Sequence, residues 1–454
     1  MSASSDIAAP VDGVAVASNA VAPIGAEQRV RELDVLRGVA LFGVFLMNMI
    51  GLTEAEVMST SIQLESLPTA HIDRISLEVI NWLFLDKANT LFAFLFGLGF
   101  YLQMERIEAR GADFARLYRR RLGFLLLMGI THIVFIWMWD ILHLYAMAGF
   151  FLLALRKVTT RTLLVGGIVL ALFGRIAQDG LAEFAGLNSW HGYPSPYSDS
   201  AVIVRQGLSA AGDYVGLFHE FARLNLVDYL LNASIVGWLL YVLGRFMVGA
   251  WVGRHGWIQR AADYLPGFKR TMWMTLPLGL IVGAISQLIF AYAQSGYNAT
   301  GYSPTDDGPT GAYAATSPML RWEHWLFVGR TLHLFAVPLL ATGYVCAIVV
   351  GLHTTLGRRL LTPFAWSGRM ALTNYFGQSL FYAVVMFGVG PGLDLAGRIG
   401  ATEVFVMIVV AYATQMLFSR WWLSRFRYGP AEWVWRGLTY GKWPQLTLVQ
   451  RPRG

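Results

Sequence analysis

Cysteine and charged residues are both scarce in this chain, and both shortages limit the class of protein to which it can belong. Only one of the 454 residues is a cysteine, and it lies within an apolar run. A disulfide framework is therefore excluded, and a cysteine-based metal site is not predicted. Charged residues make up 14% of the chain against 56% hydrophobic residues, outside the composition of ordinary soluble domains. The composition predicts an all-α membrane protein.

The apolar runs predict a polytopic bundle of about ten transmembrane helices. Each run is close to the roughly 20 residues that a helix needs to cross a bilayer. We place the spans at 34–53, 81–103, 121–139, 141–156, 162–178, 226–250, 272–293, 324–351, 365–388 and 400–423.

The basic residues between these spans indicate the orientation of the bundle. With the N-terminus inside, 24 lysines and arginines fall on inner segments and five on outer segments. Because basic loops are retained in the cytoplasm, both termini are predicted to be cytoplasmic. The placement of basic residues on the cytoplasmic side of the membrane therefore explains the net charge of +7, and no nucleic-acid partner is predicted.

Three regions follow from this assignment. Residues 1–28 lack the basic start and apolar core of a signal peptide, and we expect them to form a disordered cytoplasmic tail. Residues 29–428 are predicted to form the transmembrane helical domain. Residues 429–454 are predicted to form a basic cytoplasmic tail.

The first predicted span carries a stripe of polar side chains. Asp34 and Arg37 are three residues apart in RVRELDVLRGVALFGVFLMN, so they can pair along a helix. Asn48 follows eleven residues after Arg37, three turns further along nearly the same face. Because a charge buried in lipid is costly, the stripe is expected to point into the bundle. We predict that Asp34 and Arg37 contact a substrate there.

The densest group of ionisable residues lies where the third span meets the fourth, in GITHIVFIWMWDILHLYAMAGF. Asp140 precedes His143 by three residues, and His132 lies two turns back on the preceding span. A carboxylate that fixes the tautomer of an imidazole is the usual arrangement for a general base. The residues alone also allow structural hydrogen bonding or a metal site, although the spacing matches no common ligand signature and no metal is predicted. Tyr145 is a further candidate for substrate contact.

Two other groups of polar residues lie in the outer halves of their spans. Asp86, in the second span, is either a catalytic carboxylate or a residue that begins a helix near the interface. Arg330 and His333, in the eighth span, are three residues apart and form a candidate pair for substrate binding.

The ninth span contains polar residues at helical spacing in GRMALTNYFGQS. Small residues alternate with them, as close packing of helices requires. They either contact a substrate or hold helices together, and they are Arg369, Asn374 and Gln378.

Five segments in this order resemble the YeiB-like family of bacterial membrane proteins, a domain of unknown function. They are RELDVLRGVALFGVFLMN, LFAFLFGLGF, MWDILHLYAMAGF, GRMALTNYFGQS and GPAEWVWRGLTY, and the resemblance covers the chain after residue 28. It implies a multi-pass protein of the bacterial inner membrane.

That family is similar in turn to heparan-α-glucosaminide N-acetyltransferase and the transmembrane acyltransferases. The similarity implies transfer of an acyl group from cytoplasmic acyl-CoA to an extracytoplasmic or membrane-bound acceptor, a small molecule or glycan. It also implies a role in activity for Asn48. Only His71 occupies the place of that enzyme's catalytic histidine, and its spacing to Asp86 does not match. We therefore consider His132 or His143 as the base.

Acyl-CoA is expected as a co-substrate, with no tightly bound cofactor. Arginines near the inner mouth would hold its phosphates, and they are Arg37, Arg119, Arg120, Arg121, Arg358 and Arg359. The same cavity would also suit a transporter or exporter of a small or lipid-like metabolite, with membrane lipid as a partner. A third hypothesis is that the polar stripes form packing contacts between the subunits of a homo-oligomer. The acyltransferase hypothesis requires that the polar groups of separate helices converge on one cavity.

Overall fold

Helices account for nearly all regular structure in the part of the chain that the structure describes. The computed structural model describes residues 30–53, 57–184, 198–226, 234–300, 322–388 and 390–448. Within these ranges the chain consists of helices joined by turns and loops, with an isolated β-bridge between Phe426 and Thr447. The all-α class is therefore confirmed. The predicted tail at 1–28 lies outside the described residues.

Sixteen α-helices lie within the described ranges. In chain order they are α1 (Arg31–Ile50), α2 (Ser61–Glu65), α3 (Ala70–Phe84), α4 (Lys87–Glu108), α5 (Phe114–Phe135), α6 (Leu142–Ala154), α7 (Thr160–Phe184), α8 (Asp199–Ala210), α9 (Tyr214–Leu226), α10 (Ser234–His255), α11 (Leu265–Thr300), α12 (Trp322–Leu352), α13 (Thr355–Arg369), α14 (Ala371–Met386), α15 (Ala401–Leu423) and α16 (Pro430–Tyr440).

Six helical segments of the described chain are long and apolar enough to cross a membrane. They are Arg31–Ile50, Ala70–Glu108, Ser234–His255, Leu265–Tyr292, Phe327–Leu352 and Ala401–Leu423. Other predicted spans coincide with shorter helices, such as α6 and α14 with 13 and 16 residues. The set of apolar helices indicates a multi-pass membrane protein.

Two of the predicted spans are interrupted in the structure. The span at 81–103 is divided at Asp86, whose φ of 62° is left-handed, so that α3 ends and α4 begins there. The span at 365–388 is divided at Met370, whose φ of −115° and ψ of 34° lie outside the helical range. Each break redirects the chain where apolar composition alone predicted one continuous helix.

Helix α1 lies at the centre of the bundle. It packs against α3, α4, α12, α13, α14 and α15. Two glycines let α13 approach it closely, because a Cβ on Gly38 would lie 2.0 Å from the carbonyl oxygen of Phe364 and one on Gly368 would lie 1.9 Å from that of Asp34. The crossing fixes Arg369, the last residue of α13, beside the first turns of α1.

Helices α4 and α10 are also joined through glycine. A Cβ on Gly249 of α10 would lie 2.0 Å from the carbonyl oxygen of Phe94, and one on Gly97 of α4 would lie 2.0 Å from that of Phe246. The reciprocal contacts bring the two backbones together, which is how membrane helices gain packing without a hydrophobic driving force.

We expect Gly249→Ala to lower the thermal unfolding temperature of the protein purified in detergent. The added methyl group would meet backbone atoms that cannot rotate away, at a cost of about 1–3 kcal/mol. Gly123→Ala is the matched control, since nothing lies within 4 Å of a Cβ at that position of α5. An unchanged unfolding temperature for Gly249→Ala would contradict the close packing of α4 and α10.

Candidate functional site

A buried carboxylate joins α5 to α6. Asp140 follows the end of α5, and its Oδ1 lies 2.8 Å from Nδ1 of His132. Its Oδ2 lies 2.9 Å from Nδ1 of His143 and accepts a second bond of 2.9 Å from the His143 backbone N–H. The side chains of Asp140 and His132 are fully buried, and that of His143 is 8% exposed. The three residues that the sequence groups together therefore contact one another, and their role in catalysis stays a prediction.

The hydrogen bonds fix the tautomers of both imidazoles. Because a carboxylate only accepts, each Nδ1 carries a hydrogen and donates it to Asp140. Nε2 of His132 lies 2.8 Å from the Ser379 hydroxyl and forms a hydrogen bond with it. Burial disfavours the charged carboxylate, but the bonds from the two imidazoles outweigh this effect and hold the pKa of Asp140 below its usual value.

Tyr375 of α14 completes this network. Its hydroxyl donates to Oδ1 of Asp140 at 3.3 Å and accepts from the backbone N–H of Ile141 at 3.3 Å. Tyr375 and Ser379 are four residues apart and so lie on one face of α14. Sequence reasoning missed both residues, because their partners lie more than 230 positions away in the chain. We call Asp140, His132, His143, Tyr375 and Ser379 the carboxylate network.

Glycine explains how the first turn of α6 reaches α5. A Cβ on Gly129 of α5 would lie 2.3 Å from the backbone nitrogen of His143. Since Gly129 has no side chain, the turn that carries His143 can rest against the α5 backbone. The Asp140 carboxylate caps that turn, since it binds the His143 N–H.

A cavity of about 280 Å³ lies beside the carboxylate network. Tyr375, Ile141, Leu142 and Tyr145 form part of its wall. Six arginines from five parts of the chain also line it, and they are Arg37, Arg106, Arg110, Arg121, Arg369 and Arg436. A cavity that collects this many guanidinium groups suits a ligand that carries several negative charges.

The cavity changes from basic to apolar along three helices. On α1 its lining passes from Arg37 to Leu41 and Val44. On α5 it passes from Arg121 to Leu125, and the same helix continues to His132. Helix α4 runs in the other direction, and its lining passes from Phe92 and Phe96 to Gln103 and Arg106. The basic residues therefore lie at one end, and the apolar end meets the network.

Helix α16 covers part of the basic end. The Glu432 carboxylate accepts bonds from the backbone N–H groups of Leu372, at 2.6 Å, and Thr373, at 3.2 Å, so it caps the first turn of α14. The Arg121 guanidinium lies 3.7 Å from the centre of the Trp435 ring, whose N–H donates to the Arg121 carbonyl. Burial raises the pKa of Glu432, although its hydrogen bonds oppose this effect.

Several predicted residues share this cavity. Arg37 pairs with Asp34 at 3.2 Å, as predicted, and lines the wall together with Tyr145 and Arg369. Arg121 also lines it, whereas Arg358 and Arg359 line a separate pocket.

Other predicted residues face different neighbours. The Asn374 amide donates to Ser419 of α15 at 3.0 Å, and the Gln378 amide donates to Gln415 of the same helix at 3.1 Å. Asn48 lies near the Tyr382 side chain, whose hydroxyl donates to the Phe45 carbonyl at 3.4 Å. Within the part of the chain that the structure describes, Asn374, Gln378 and Asn48 are not among the residues lining the cavity. The expected stripe on the ninth span is thus divided by the break at Met370.

A second carboxylate–imidazole pair lies apart from the network. Oδ2 of Asp86 lies 3.1 Å from Nε2 of His333, and both side chains are more than four-fifths buried. Arg330, predicted to accompany His333, has an exposed side chain. The pair links the break between α3 and α4 to α12, so the prediction that the polar groups of separate helices converge on one cavity is wrong for Asp86 and His333, which do not line it. Among the described residues, no three histidine, cysteine or acidic side chains are grouped to hold a metal ion.

Comparison with known proteins places the chain in a family. Residues 310–442 match the family described as "Protein of unknown function (DUF418)". The chain is also 30% identical to the Bacillus subtilis protein YxaH over 438 residues, which cover 93% of this chain and 97% of YxaH. The chain belongs to the DUF418 family.

Two further relatives extend over nearly the whole DUF418 chain. Escherichia coli YeiB is 29% identical over 427 residues, covering 90% of this chain and 95% of YeiB. A 39.9 kDa protein of Bacillus acidopullulyticus, from the amylase 3' region, is 26% identical over 421 residues, covering 92% and 96%. The predicted membership of the YeiB-like family is therefore confirmed.

We expect Asp140→Ala to destabilise this DUF418 protein far more than Ser379→Ala. The first change removes the acceptor of four buried hydrogen bonds, and each buried donor left unpaired costs about 1–3 kcal/mol. The second removes one hydroxyl group with two hydrogen bonds, each of which contributes about 1 kcal/mol. Thermal unfolding in detergent measures both, and equal losses would mean that Asp140 does not hold the network together.

Proposed function

We propose that this protein is a membrane-embedded acyltransferase that moves an acyl group from cytoplasmic acyl-CoA to a hydroxyl or amine of an extracytoplasmic or membrane-bound acceptor. The observation that carries this proposal is the polarity of the cavity, which is basic at one end and meets the carboxylate network at the other. An acyl-CoA has the matching polarity, with phosphates at one end and a thioester with an apolar chain at the other.

The basic end accounts for the donor. Arginine binds phosphate through paired, charge-assisted hydrogen bonds, so Arg106, Arg110 and Arg436 at that end suit the phosphates of CoA. The apolar stretch past Leu41 and Leu125 would then hold the pantetheine arm and direct the thioester toward Tyr375.

The carboxylate network would supply the base. The acceptor oxygen or nitrogen forms a bond to the thioester carbonyl carbon, and the carbon–sulfur bond breaks. The proton of the acceptor passes to the Tyr375 oxygen while the Tyr375 hydrogen moves to Asp140, 3.3 Å away. Asp140 then returns its proton to Tyr375, and Tyr375 gives a proton to the departing sulfur. This step gives free CoA and restores the network.

This assignment changes which residue touches the substrate. Sequence reasoning gave that role to His132 or His143, but Tyr375 is the network member that lines the cavity. The two histidines then act through Asp140, since both donate to it and set its basicity.

We also propose a membrane topology for the helix bundle. The protein would cross the bacterial inner membrane ten times, with both termini in the cytoplasm. The basic end of the cavity would then face the cytoplasm, which contains acyl-CoA. The excess of basic residues on the segments at this end supports that orientation. Membrane lipid and a small-molecule or glycan acceptor are the partners that this topology requires.

One observation favours a second candidate function, export of a small metabolite. Broken helices with ionisable residues at the break are a feature of secondary transporters. The left-handed Asp86 separates α3 from α4, and it pairs with His333. In an exporter this pair would bind a proton or an ion during transport.

We expect the purified protein to transfer label from radiolabelled acyl-CoA to an acceptor. Tyr375→Phe should lower the turnover number by about 100-fold or more with little change in KM for the donor, because it removes a proton acceptor and no charge. Arg436→Gln should instead raise KM for the donor by about tenfold or more, since it removes a charge-assisted contact.

Arg161→Gln provides the matched control, because Arg161 is exposed at the start of α7 and does not line the cavity. Its KM and turnover number should equal those of the wild-type protein. Absence of transfer with short and long acyl donors and a range of hydroxyl and amine acceptors would contradict the proposed function. A normal turnover number for Tyr375→Phe would contradict only the role given to Tyr375.

Labelling of single cysteines tests the topology. In a Cys346→Ala background, we expect Lys442→Cys to react with a membrane-impermeant maleimide only after the cells are permeabilised, and Glu65→Cys to react in intact cells. Both positions are exposed and lie on opposite sides in the proposed arrangement. Labelling of Lys442→Cys in intact cells would contradict a cytoplasmic C-terminus.

A further inference from the structure

A second basic pocket lies at the beginning of α13. Its volume is about 380 Å³, and it is separate from the cavity beside the carboxylate network. Five residues line it, and they are His353, Thr355, Arg358, Arg359 and Thr362. Among these described residues there is no carboxylate, so the pocket has a positive potential that its own wall does not neutralise.

Hydrogen bonds hold the polar groups of this pocket in place. Arg358 donates from Nε to the carbonyl of Leu352 at 3.3 Å, which leaves the outer nitrogens of its guanidinium group for other partners. Thr362 donates to the Arg358 carbonyl and accepts from Arg31 of α1, so a third guanidinium group stands at the edge. The Nδ1 of His353 donates to the Val349 carbonyl at 2.9 Å.

Apolar side chains are exposed on the same helix. Leu356 and Leu360 are 68% and 63% exposed, and their spacing of four residues puts them on one face of α13. The buried face of α13 contains Ala365, Ser367 and Gly368 and rests on the bundle. A helix that presents arginines beside exposed leucines at a membrane protein's edge has the pattern of a segment lying in the lipid interface.

We infer that this pocket binds the phosphate of an anionic phospholipid, with Arg358 and Arg359 on the headgroup and the acyl chains against Leu356 and Leu360. Free phosphate would account for the arginines but not for the exposed leucines. Basic pockets between membrane helices are known to bind anionic headgroups in this way. Because α13 also carries Arg369 into the cavity beside the carboxylate network, the bound lipid would anchor the helix that positions this residue.

Native mass spectrometry of the delipidated full-length protein tests this inference. We expect dioleoyl phosphatidylglycerol to bind more tightly than dioleoyl phosphatidylcholine, which has the same chains and no net charge. Arg358→Gln with Arg359→Gln should weaken binding of the anionic lipid by about thirtyfold, since each basic residue near a lipid surface contributes about fivefold. Affinity for the zwitterionic lipid should not change.

Lys269→Gln with Arg270→Gln is the matched control, because it removes two exposed charges from the start of α11, away from the pocket. Its affinity for the anionic lipid should equal that of the wild-type protein. Arg359→Gln alone should weaken binding about fivefold and serves if the double variant does not fold, since only Arg358 bonds to the Leu352 carbonyl. Unchanged affinity in both arginine variants, or displacement of the lipid by millimolar inorganic phosphate, would overturn the inference.

Discussion

The hydrogen bonds to the Asp140 carboxylate determine how three helices meet. Asp140 accepts from His132 of α5, from His143 of α6 and from Tyr375 of α14. An ionised carboxylate in a buried site is costly unless donors surround it, so the three helices can pack only in the arrangement that supplies them. The same bonds orient the network toward the cavity wall, and the structure and the proposed chemistry therefore depend on one set of contacts.

The position of the cavity follows from two constraints on neighbouring helices. The α13 backbone crosses α1 at Gly38 and Gly368, which leaves Arg369 beside Arg37. Helix α16 then closes over the space, with Glu432 on the first turn of α14 and Trp435 against Arg121. Arginines from distant parts of the chain meet because these contacts bring their helix ends together. Together these arginines make one end of the cavity basic.

The local pairs could be predicted from the sequence, and the long-range partners could not. Asp34 with Arg37 and Asp140 with His143 are three residues apart, so helical geometry alone joins them. Spacing also suggested one polar stripe through Arg369, Asn374 and Gln378, but the break at Met370 and the packing of α15 separate them. The roles of Tyr375 and Glu432 could not be predicted, because a single tyrosine or glutamate forms no recognisable sequence motif and its partner lies on a distant helix. The pairing of Asp86 with His333 was missed for the same reason.

The two carboxylate–imidazole pairs differ in a way that bears on their roles. Asp140 lies in a network whose donors fix both imidazole tautomers, and one member of that network borders a cavity with a basic end. Asp86 has left-handed backbone geometry at a helix break, and its pairing with His333 bridges α3–α4 to α12. A fixed network suits proton transfer at one reacting atom, whereas a bridge between helices suits movement of one helix against another. If acyl transfer crosses the bilayer, the protein needs both, since chemistry at the first site must be joined to access for an acceptor from the opposite side.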